Sequence, residues 1–456
     1  MASPADVRTT TRPHLLRELG VSQACAVVVG TIIGSGIFLV PAEMMQAVGS
    51  AKVLYLVWIF GGLLSFFGAL TYAELGAMKP QAGGEYVYVR DAYGPLAGFL
   101  YAWTTFLISK PASIATITTG LVRILGTFAI FSFFDHHILG PIKYGQLVAV
   151  AAAVLISFLN YIGIKKAGEF QLIFTLLKVA IIFGIVFIGF TYASGTWAHF
   201  AETYAGAKGG ITGFMAALVA ALWAYDGWNN LNMVSEEIRE PERNVPIALI
   251  VGVATVGALY MLVNAAVQYV LPANAIAASP RVASDAIGVV MGSAGAAIVS
   301  AGMALSMLVT LNGTTMSGAR VPFAVARDRY FFSVLAEVHP RFHTPSAAIV
   351  AQAVLSISLL LLGGSFRQFF SLAIFAEWLF YMITASTIFV FRRRDPQARR
   401  PYRVWGYPFV PALFVLVSAV LLYYTFTDNL RNSATGCLVI LAGVPVFYAF
   451  ARKRRA

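Results

Sequence analysis

Apolar positions along this chain run unbroken for about 20 residues at a time, the length that crosses a bilayer as a helix. They do not alternate with a period of two, so the runs predict spanning helices and not barrel strands. The spacing places spans near 20–44, 53–77, 95–125, 144–162, 170–193, 212–235, 245–271, 285–318, 346–363, 368–391, 406–427 and 433–451. The stretch 285–318 is the faintest, because Gly and Ala dilute it. No short apolar stretch with a small-residue cleavage site precedes the first span, so no signal peptide is expected. The layout divides into a tail at 1–19, five spans over 20–193, five over 212–391, two over 400–451 and a basic tail at 452–456.

Composition sharpens this picture. Of 456 residues, 59% are apolar and only 11% charged, and mean hydropathy is +0.77. An ordinary soluble domain carries about 25% charge. Disorder is excluded by the same numbers, and a disulfide-stapled scaffold by two cysteines in the whole chain. The net charge of +12 is topological in origin. With the N-terminus inside, 23 of the 32 Lys and Arg fall in inside segments and six in outside ones. That asymmetry predicts both termini in the cytoplasm of a multi-pass plasma (inner) membrane protein. The basic face then meets anionic lipid, and no nucleic acid partner is expected.

Two spans carry a helix-breaking centre. The first reads Gly30-Thr31-Ile32-Ile33-Gly34-Ser35-Gly36-Ile37-Phe38, followed by Pro41. Each of its three glycines weakens a helix by roughly 1 kcal/mol relative to Ala. The sixth span reads Trp223-Ala224-Tyr225-Asp226-Gly227-Trp228-Asn229-Asn230, with a carboxylate and two amides at its centre. The two breaks lie five spans apart, the spacing of an inverted repeat with a substrate site between discontinuous helices. A half-helix starting near Ser35-Gly36-Ile37 would aim free N–H groups at a carboxylate. One ending near Thr31-Ile32-Ile33 would offer carbonyls to an ammonium, and Trp223–Asp226 adds more. A zwitterionic α-amino acid fits this polarity. The plainer reading is that Gly34 and Gly36 only permit close helix crossing. On the first reading, a side chain at Gly36 would fill the place where the carboxylate meets the backbone.

The runs GTIIGSGIF and YDGWNNLNMVSEEIREPERNVPIAL (225–249) resemble the amino acid–polyamine–organocation (APC) transporters, most closely the L-type amino acid transporters and their bacterial relatives. The blocks PQAGGEYVYVRDAYGP (80–95) and RPYRVWGYPFVP (400–411) point the same way, and the likeness runs from about residue 16 to 451. The resemblance implies an all-α polytopic fold of the LeuT type: a five-plus-five inverted repeat with two extra C-terminal helices, twelve spans in all. It implies sodium-independent transport of L-amino acids, usually by exchange. The family's carboxylate-binding amides correspond to Gly34, Ser35 and Gly36. Its amine-binding carbonyls correspond to Ile32 or Ile33 with Trp223 and Asp226, and its outer closing aromatic to Trp223. Animal L-type members have glycine where this chain has Asp226, and they carry a cysteine between spans 3 and 4 that bonds a heavy chain. Segment 127–144 has no cysteine, so no disulfide-linked heavy chain is expected.

Ionisable residues within spans are costly and are functional candidates by default. The resemblance places Lys178 where sodium-coupled relatives hold sodium, so a fixed ammonium there would replace the ion. The other readings are a proton carrier and a snorkelling side chain. Asp226 has three readings: it holds the substrate amine, binds a proton, or pairs with Lys110 or a backbone N–H. Lys110, beside Pro111, sits where the family usually has Arg, and reads as an ion-pair member or a substrate contact. Glu377 reads as a side-chain pocket residue or a carboxylate supporting packing. Gly227, beside Asp226, is counted with the substrate-binding residues, and Tyr225, Trp228 and Asn230 are pocket or packing residues. Glu74, Glu236, Glu237 and Arg239, near helix ends, read as gating salt bridges or solvated caps.

Other classes fit less well. The chain has no Gly-x-x-x-x-Gly-Lys-Ser/Thr loop for ATP. Its six histidines fall in tails and loops, so no metal or other cofactor and no enzyme activity are expected. The expected partner is a small L-amino acid, with a neutral side chain favoured and a cationic one left open by Asp226 and Glu377. Proton-coupled symport is the alternative to exchange, and a sensor without flux is a remote third reading.

Overall fold

The computed structural model describes residues 14–140, 142–362, 366–428 and 430–455. Residues 1–13 of the expected tail and residue 456 lie outside the described residues. The first apolar run forms two helices, α1 (Val21–Ile32) and α2 (Gly36–Val48), followed by α3 (Ala51–Met78). A short α4 (Glu85–Tyr93) leads into α5 (Pro95–Thr104), a π-helical turn at Thr105–Ser109 and α6 (Lys110–Leu125). Then come α7 (Tyr144–Tyr161), α8 (Ile164–Phe190), α9 (Gly210–Ala224), the single turn α10 (Asn230–Met233) and α11 (Pro241–Val270). The remainder is α12 (Ala273–Ala278), α13 (Val282–Gly318), α14 (Arg320–Arg327), α15 (Ser346–Leu362), α16 (Phe366–Arg394), α17 (Phe409–Asp428) and α18 (Leu430–Arg455). Between α6 and α7, strands β1 (His137–Leu139) and β2 (Ile142–Lys143) pair antiparallel, with His137 opposite Lys143.

Local chemistry explains the boundaries. Gly49 ends α2 in the left-handed region at φ 68°, its N–H returning to Met45 O. Gly94 at φ 97° turns the chain, and Pro95 starts α5, where a missing N–H costs nothing. Pro111 has no N–H for the carbonyl four residues back, and the turn just before it widens to a π-helix.

Among the described residues, eight helical stretches are long and apolar enough to cross a membrane, with shorter apolar helices at Gly210–Ala224 and Ser346–Leu362. Two expected spans differ in detail. The stretch 285–318 is not one straight helix: Gly292 (φ 70°, ψ −162°) divides α13. The helix of the fifth expected span, α8, starts at Ile164 and not near 170, carrying Lys165 and Lys166 on its first turn. Hydropathy does not register a helical turn that extends into water.

Position within the bundle follows burial. The window over α1 and α2 is 89% buried, whereas α18 is 17% buried and presents its apolar surface outward. The broken first helix is therefore the axis of the molecule. α1 packs on α8, α11 and α13, and α2 packs on α9. Trp58 meets Tyr225 and Tyr260 edge-on at the centre, and the two tyrosines pack tilted on each other, with ring centroids 5.1–5.6 Å apart.

Candidate binding site between two interrupted helices

The first interruption is short. α1 ends at Ile32, and α2 begins at Gly36 after Ser35. Gly34 N–H closes back onto Ile32 O at 2.7 Å, which leaves the amides of Ser35, Gly36 and Ile37 without a backbone acceptor among the described residues. They are the ordinary orphan donors of a helix start. The carbonyls of this break turn the other way. Lys178, 2% exposed, donates to Gly30 O at 2.8 Å, Ile33 O at 2.6 Å and Ser306 O at 3.2 Å. Ser306 Oγ adds a bond to Ile33 O at 2.8 Å, and Thr310 Oγ1 one to Gly30 O at 3.2 Å. One cation thus gathers the loose carbonyls of α1 and ties them to α8 and α13.

The second interruption spans Tyr225 to Asn229 and is built from side chains. Gly227 turns it at φ 112°. Asp226 Oδ1 accepts from the Tyr381 hydroxyl at 2.7 Å. Asn230 accepts from Lys110 Nζ at 2.7 Å and Ser317 Oγ at 2.5 Å, and donates to Gly227 O at 3.0 Å. Lys110 therefore anchors the break through an amide.

The two breaks touch. A Cβ on Gly36 would come within 2.8 Å of Ala224 Cα, and one on Gly227 within 3.0 Å of Thr31 Cγ2. The Tyr260 hydroxyl lies between the chain ends, 3.1 Å from Ile32 O and 2.8 Å from Ala224 O. The expected effect of substituting Gly36 needs correction: a new side chain there strikes Ala224 and forces the helices apart, so close crossing is part of that glycine's role. At Gly34 a Cβ would meet only Thr310 at 3.4 Å, ordinary contact.

A cavity lies at this junction. Of the residues singled out in the sequence, Ile32, Gly34, Ser35, Gly36, Trp223, Asp226, Gly227, Lys110, Asn230 and Glu377 line it. Lys178, Ile33, Ile37 and Tyr225 do not. Lys178 stands behind the first break, and Tyr225 belongs to the aromatic centre. Ser113, Thr116, Thr310 and Thr314 also line the cavity, and sequence reasoning passed over them. Hydroxyls within helices are common, and only Thr310 and Thr314, at i and i+4 on one face of α13, offered a spacing signal.

The carboxylates Glu74, Glu236 and Glu237 are ion-paired, whereas Arg239 donates Nε to Arg17 O at 3.3 Å. Leu19 N–H bonds Glu237 O, and Arg239 N–H bonds Leu19 O, so the entry to α1 is laced to the chain beyond α10. Arg320 grips Glu237 with two bonds of 2.8 and 3.0 Å, both side chains fully buried. Arg327 holds Glu236 the same way at 2.9 and 3.0 Å, partly in solvent. Glu74 receives Arg392 at 2.9 and 2.6 Å. The solvated-cap reading fails for Glu74 and Glu237, which are both 0% exposed. Arg320, which no sequence pattern singled out, is the buried partner of Glu237.

A helical bundle with two broken helices meeting at a polar cavity belongs to the class of membrane transporters with discontinuous spans. Comparison with known proteins is specific. The amino acid permease family matches residues 19–450. The serine/threonine exchanger SteT of Bacillus subtilis (strain 168) is 32% identical over 97% of this chain and 98% of its own. The b(0,+)-type amino acid transporter 1 of Homo sapiens is 31% identical over 96% of this chain and 88% of its own. The cystine/glutamate transporter of Homo sapiens is 29% identical over 96% and 86% respectively. The chain belongs to the amino acid permease family of the APC superfamily.

Proposed function

We propose that this protein is a sodium-independent exchanger of L-amino acids, favouring neutral side chains and working by alternating access. In this reading twelve helices cross the plasma membrane with both termini in the cytoplasm. The segments 20–193 and 212–391 form two inverted repeats of the LeuT type, each opened by a broken helix, and the spans within 400–451 follow them.

The observation that carries the reading is the polarity of the junction. The amides of Ser35 and Gly36 suit a carboxylate, with Gly34 completing the turn beside them. The carbonyl side of α1 near Ile32, with Trp223 and Asp226, suits an ammonium, and Trp223 closes the site from outside. Lys178 already fills the place of a cation behind the break, which makes a sodium ion unnecessary. The relative named as a serine/threonine exchanger supports exchange as the transport mode. A chain without cysteine over 127–144 supports action without a disulfide-linked heavy chain.

Proteoliposome flux tests the proposal. Labelled amino acid should enter only when amino acid is trapped inside, and replacing sodium with choline should change nothing. Uptake into empty vesicles driven by a pH gradient would replace exchange with proton symport. Binding without flux in either condition would leave a sensor.

A further inference from the structure

Glu85 stands outside the site just described and is the least explained charge in the molecule. It opens α4 behind two glycines at positive φ, Gly83 at 88° and Gly84 at 43°. Gly84 lies flat against the Asn232 backbone, where a Cβ would meet atoms at 2.6 Å. These glycines carry the carboxylate into the core, where it is 1% exposed. Its partners are neutral donors. The Tyr72 hydroxyl donates to Oε1 at 2.8 Å, the Tyr101 hydroxyl donates to Oε2, and Asn229 Nδ2 donates to Oε2 at 3.2 Å. Among the described residues no ion pair holds it.

The groups that face Glu85 can be named element by element. α3 contributes Tyr72 and α5 contributes Tyr101, while Tyr88 on its own helix faces it with the hydroxyl bonded to Asn232. Across a small chamber lie Lys110 of α6 and Glu377 and Tyr381 of α16. Lys110 and Glu377 line this chamber and the larger cavity alike. Three carboxylates, Glu85, Glu377 and Asp226, thus share these two linings with the ammonium of Lys110, which bonds Asn230 and forms no ion pair with any of them. Excess negative charge in a low-dielectric interior is costly unless a proton neutralises it.

The second observation concerns Asn229. Its Oδ1 is buried and has no hydrogen-bond partner among the described residues, while the amide nitrogen beside it serves Glu85. An ionised carboxylate only accepts, but a protonated one must also donate. A half-turn of the Asn229 amide would bring Oδ1 to the new O–H of Glu85. Glu85 then keeps a matching amide group in either state, the nitrogen for the carboxylate and the oxygen for the acid, and protonation gives the orphan oxygen a use. We propose that Glu85 is a proton-binding site, taking one proton from water and returning it as the Asn229 amide turns, and that its occupancy is linked to occupancy of the larger cavity. The link runs along the chain: Asn229 belongs to the same interrupted segment as Asp226 and Gly227, which line that cavity. A cationic group arriving beside Asp226 and Glu377 favours the ionised form of Glu85 and releases its proton, and protonation weakens the binding in return.

The proton site is tested without substrate by pH-difference infrared spectroscopy of the purified full-length protein. The carbonyl stretch of a buried carboxylic acid should titrate in the wild type and in Glu377→Gln, and its Glu85 component should vanish in Glu85→Gln. A Glu85→Gln spectrum that keeps every titrating carboxyl band overturns the proposal. Should that variant fail to fold, Asn229→Leu serves: it removes both partners of the switch and should move the titration midpoint, and an unmoved midpoint is equally fatal. The linkage is read from L-serine affinity between about pH 5 and about pH 8. A change on the order of 5-fold or more is expected in the wild type and a flat profile in Glu85→Gln. Wild-type affinity flat across that range overturns the linkage. Because the infrared arm needs no amino acid, failure of L-serine to bind would count against the exchange reading and leave the proton site standing on its own spectrum.

Discussion

The two interrupted helices solve one problem with different material. The break after α1 exposes backbone, and a lysine from α8 gathers its carbonyls. The break after α9 exposes side chains, with Asp226 held by Tyr381 and Asn230 by Lys110 and Ser317. Backbone amides and carbonyls are present whatever the residue, so the first break can recognise the groups all amino acids share. Side chains can be exchanged one at a time, so the second break is where a preference among amino acids is set. Both breaks depend on supports from other helices: the first is held through its backbone carbonyls, the second through its own side chains.

The largest expected effect is on the anchor below the second break. Arg320→Ala leaves Glu237 buried without its partner, and breaking a buried pair this way costs roughly 3–5 kcal/mol. A steep fall in melting temperature in detergent is expected, and wild-type melting would show that the pair contributes nothing to the fold. Next comes Lys178→Met, which keeps the stem and removes the charge. Each hydrogen bond to a charged group is worth about 1.5–3 kcal/mol, so the first break should lose its geometry and exchange should stop. Normal flux from Lys178→Met would refute the division of labour between the breaks. The glycines of the first break should then separate by position. Gly36→Ala strikes the Ala224 backbone and should cost about 1–3 kcal/mol, whereas Gly34→Ala, in ordinary contact with Thr310, should melt near wild type. Equal melting of the two would sink the close-contact argument.

The breaks were readable in the sequence because they violate their surroundings: Gly, Ser, Asp and Asn stand inside apolar runs, where lipid would not accept them. What supports the breaks was harder to read. Lys178 was conspicuous as a charge, but its three carbonyl partners lie on α1 and α13, and no local pattern pairs residues so distant in the chain. Tyr260, which spans both chain ends, looks like any aromatic in an apolar run. Glu85 and Arg320 give no signal for a common reason. Each lies in a polar stretch that reads as a loop, and only the tertiary path, through Gly83–Gly84 for one and past α13 for the other, buries them. Hydropathy averages a neighbourhood, and these residues are buried one at a time. Gly292 escaped for the opposite reason, since a single glycine in a Gly/Ala-rich stretch is no signal.

A smaller effect probes the specificity side of the comparison. Asp226→Asn keeps the shape and an acceptor for Tyr381, so the fold should persist. Removing the negative charge beside the cavity should shift relative uptake away from basic and toward neutral amino acids in competition assays. An unchanged ranking would mean that the second break, like the first, recognises only the groups amino acids share.

The smallest effect comes from the outer neighbour of the buried pair. Glu236 and Glu237 are adjacent, and each is gripped by an arginine of α14, but Arg327 is 40% exposed where Arg320 is fully buried. Solvent screens the outer pair, so Arg327→Ala should cost no more than about 1 kcal/mol. Burial alone would raise the Glu236 pKa, but hydrogen bonds from Arg327 and the Ala82 N–H outweigh it and hold the group below its ordinary 4.5. A carboxylate with a lowered folded-state pKa stabilises the fold at pH above its unfolded value and loses that contribution as pH falls through the folded one. The melting difference between wild type and Arg327→Ala should therefore be present at neutral pH and shrink only in acid below about 4.5. A difference as large as that of Arg320→Ala would mean that the outer pair is as well shielded from water as the inner one. The anchoring of the second break would then extend to the surface of the molecule.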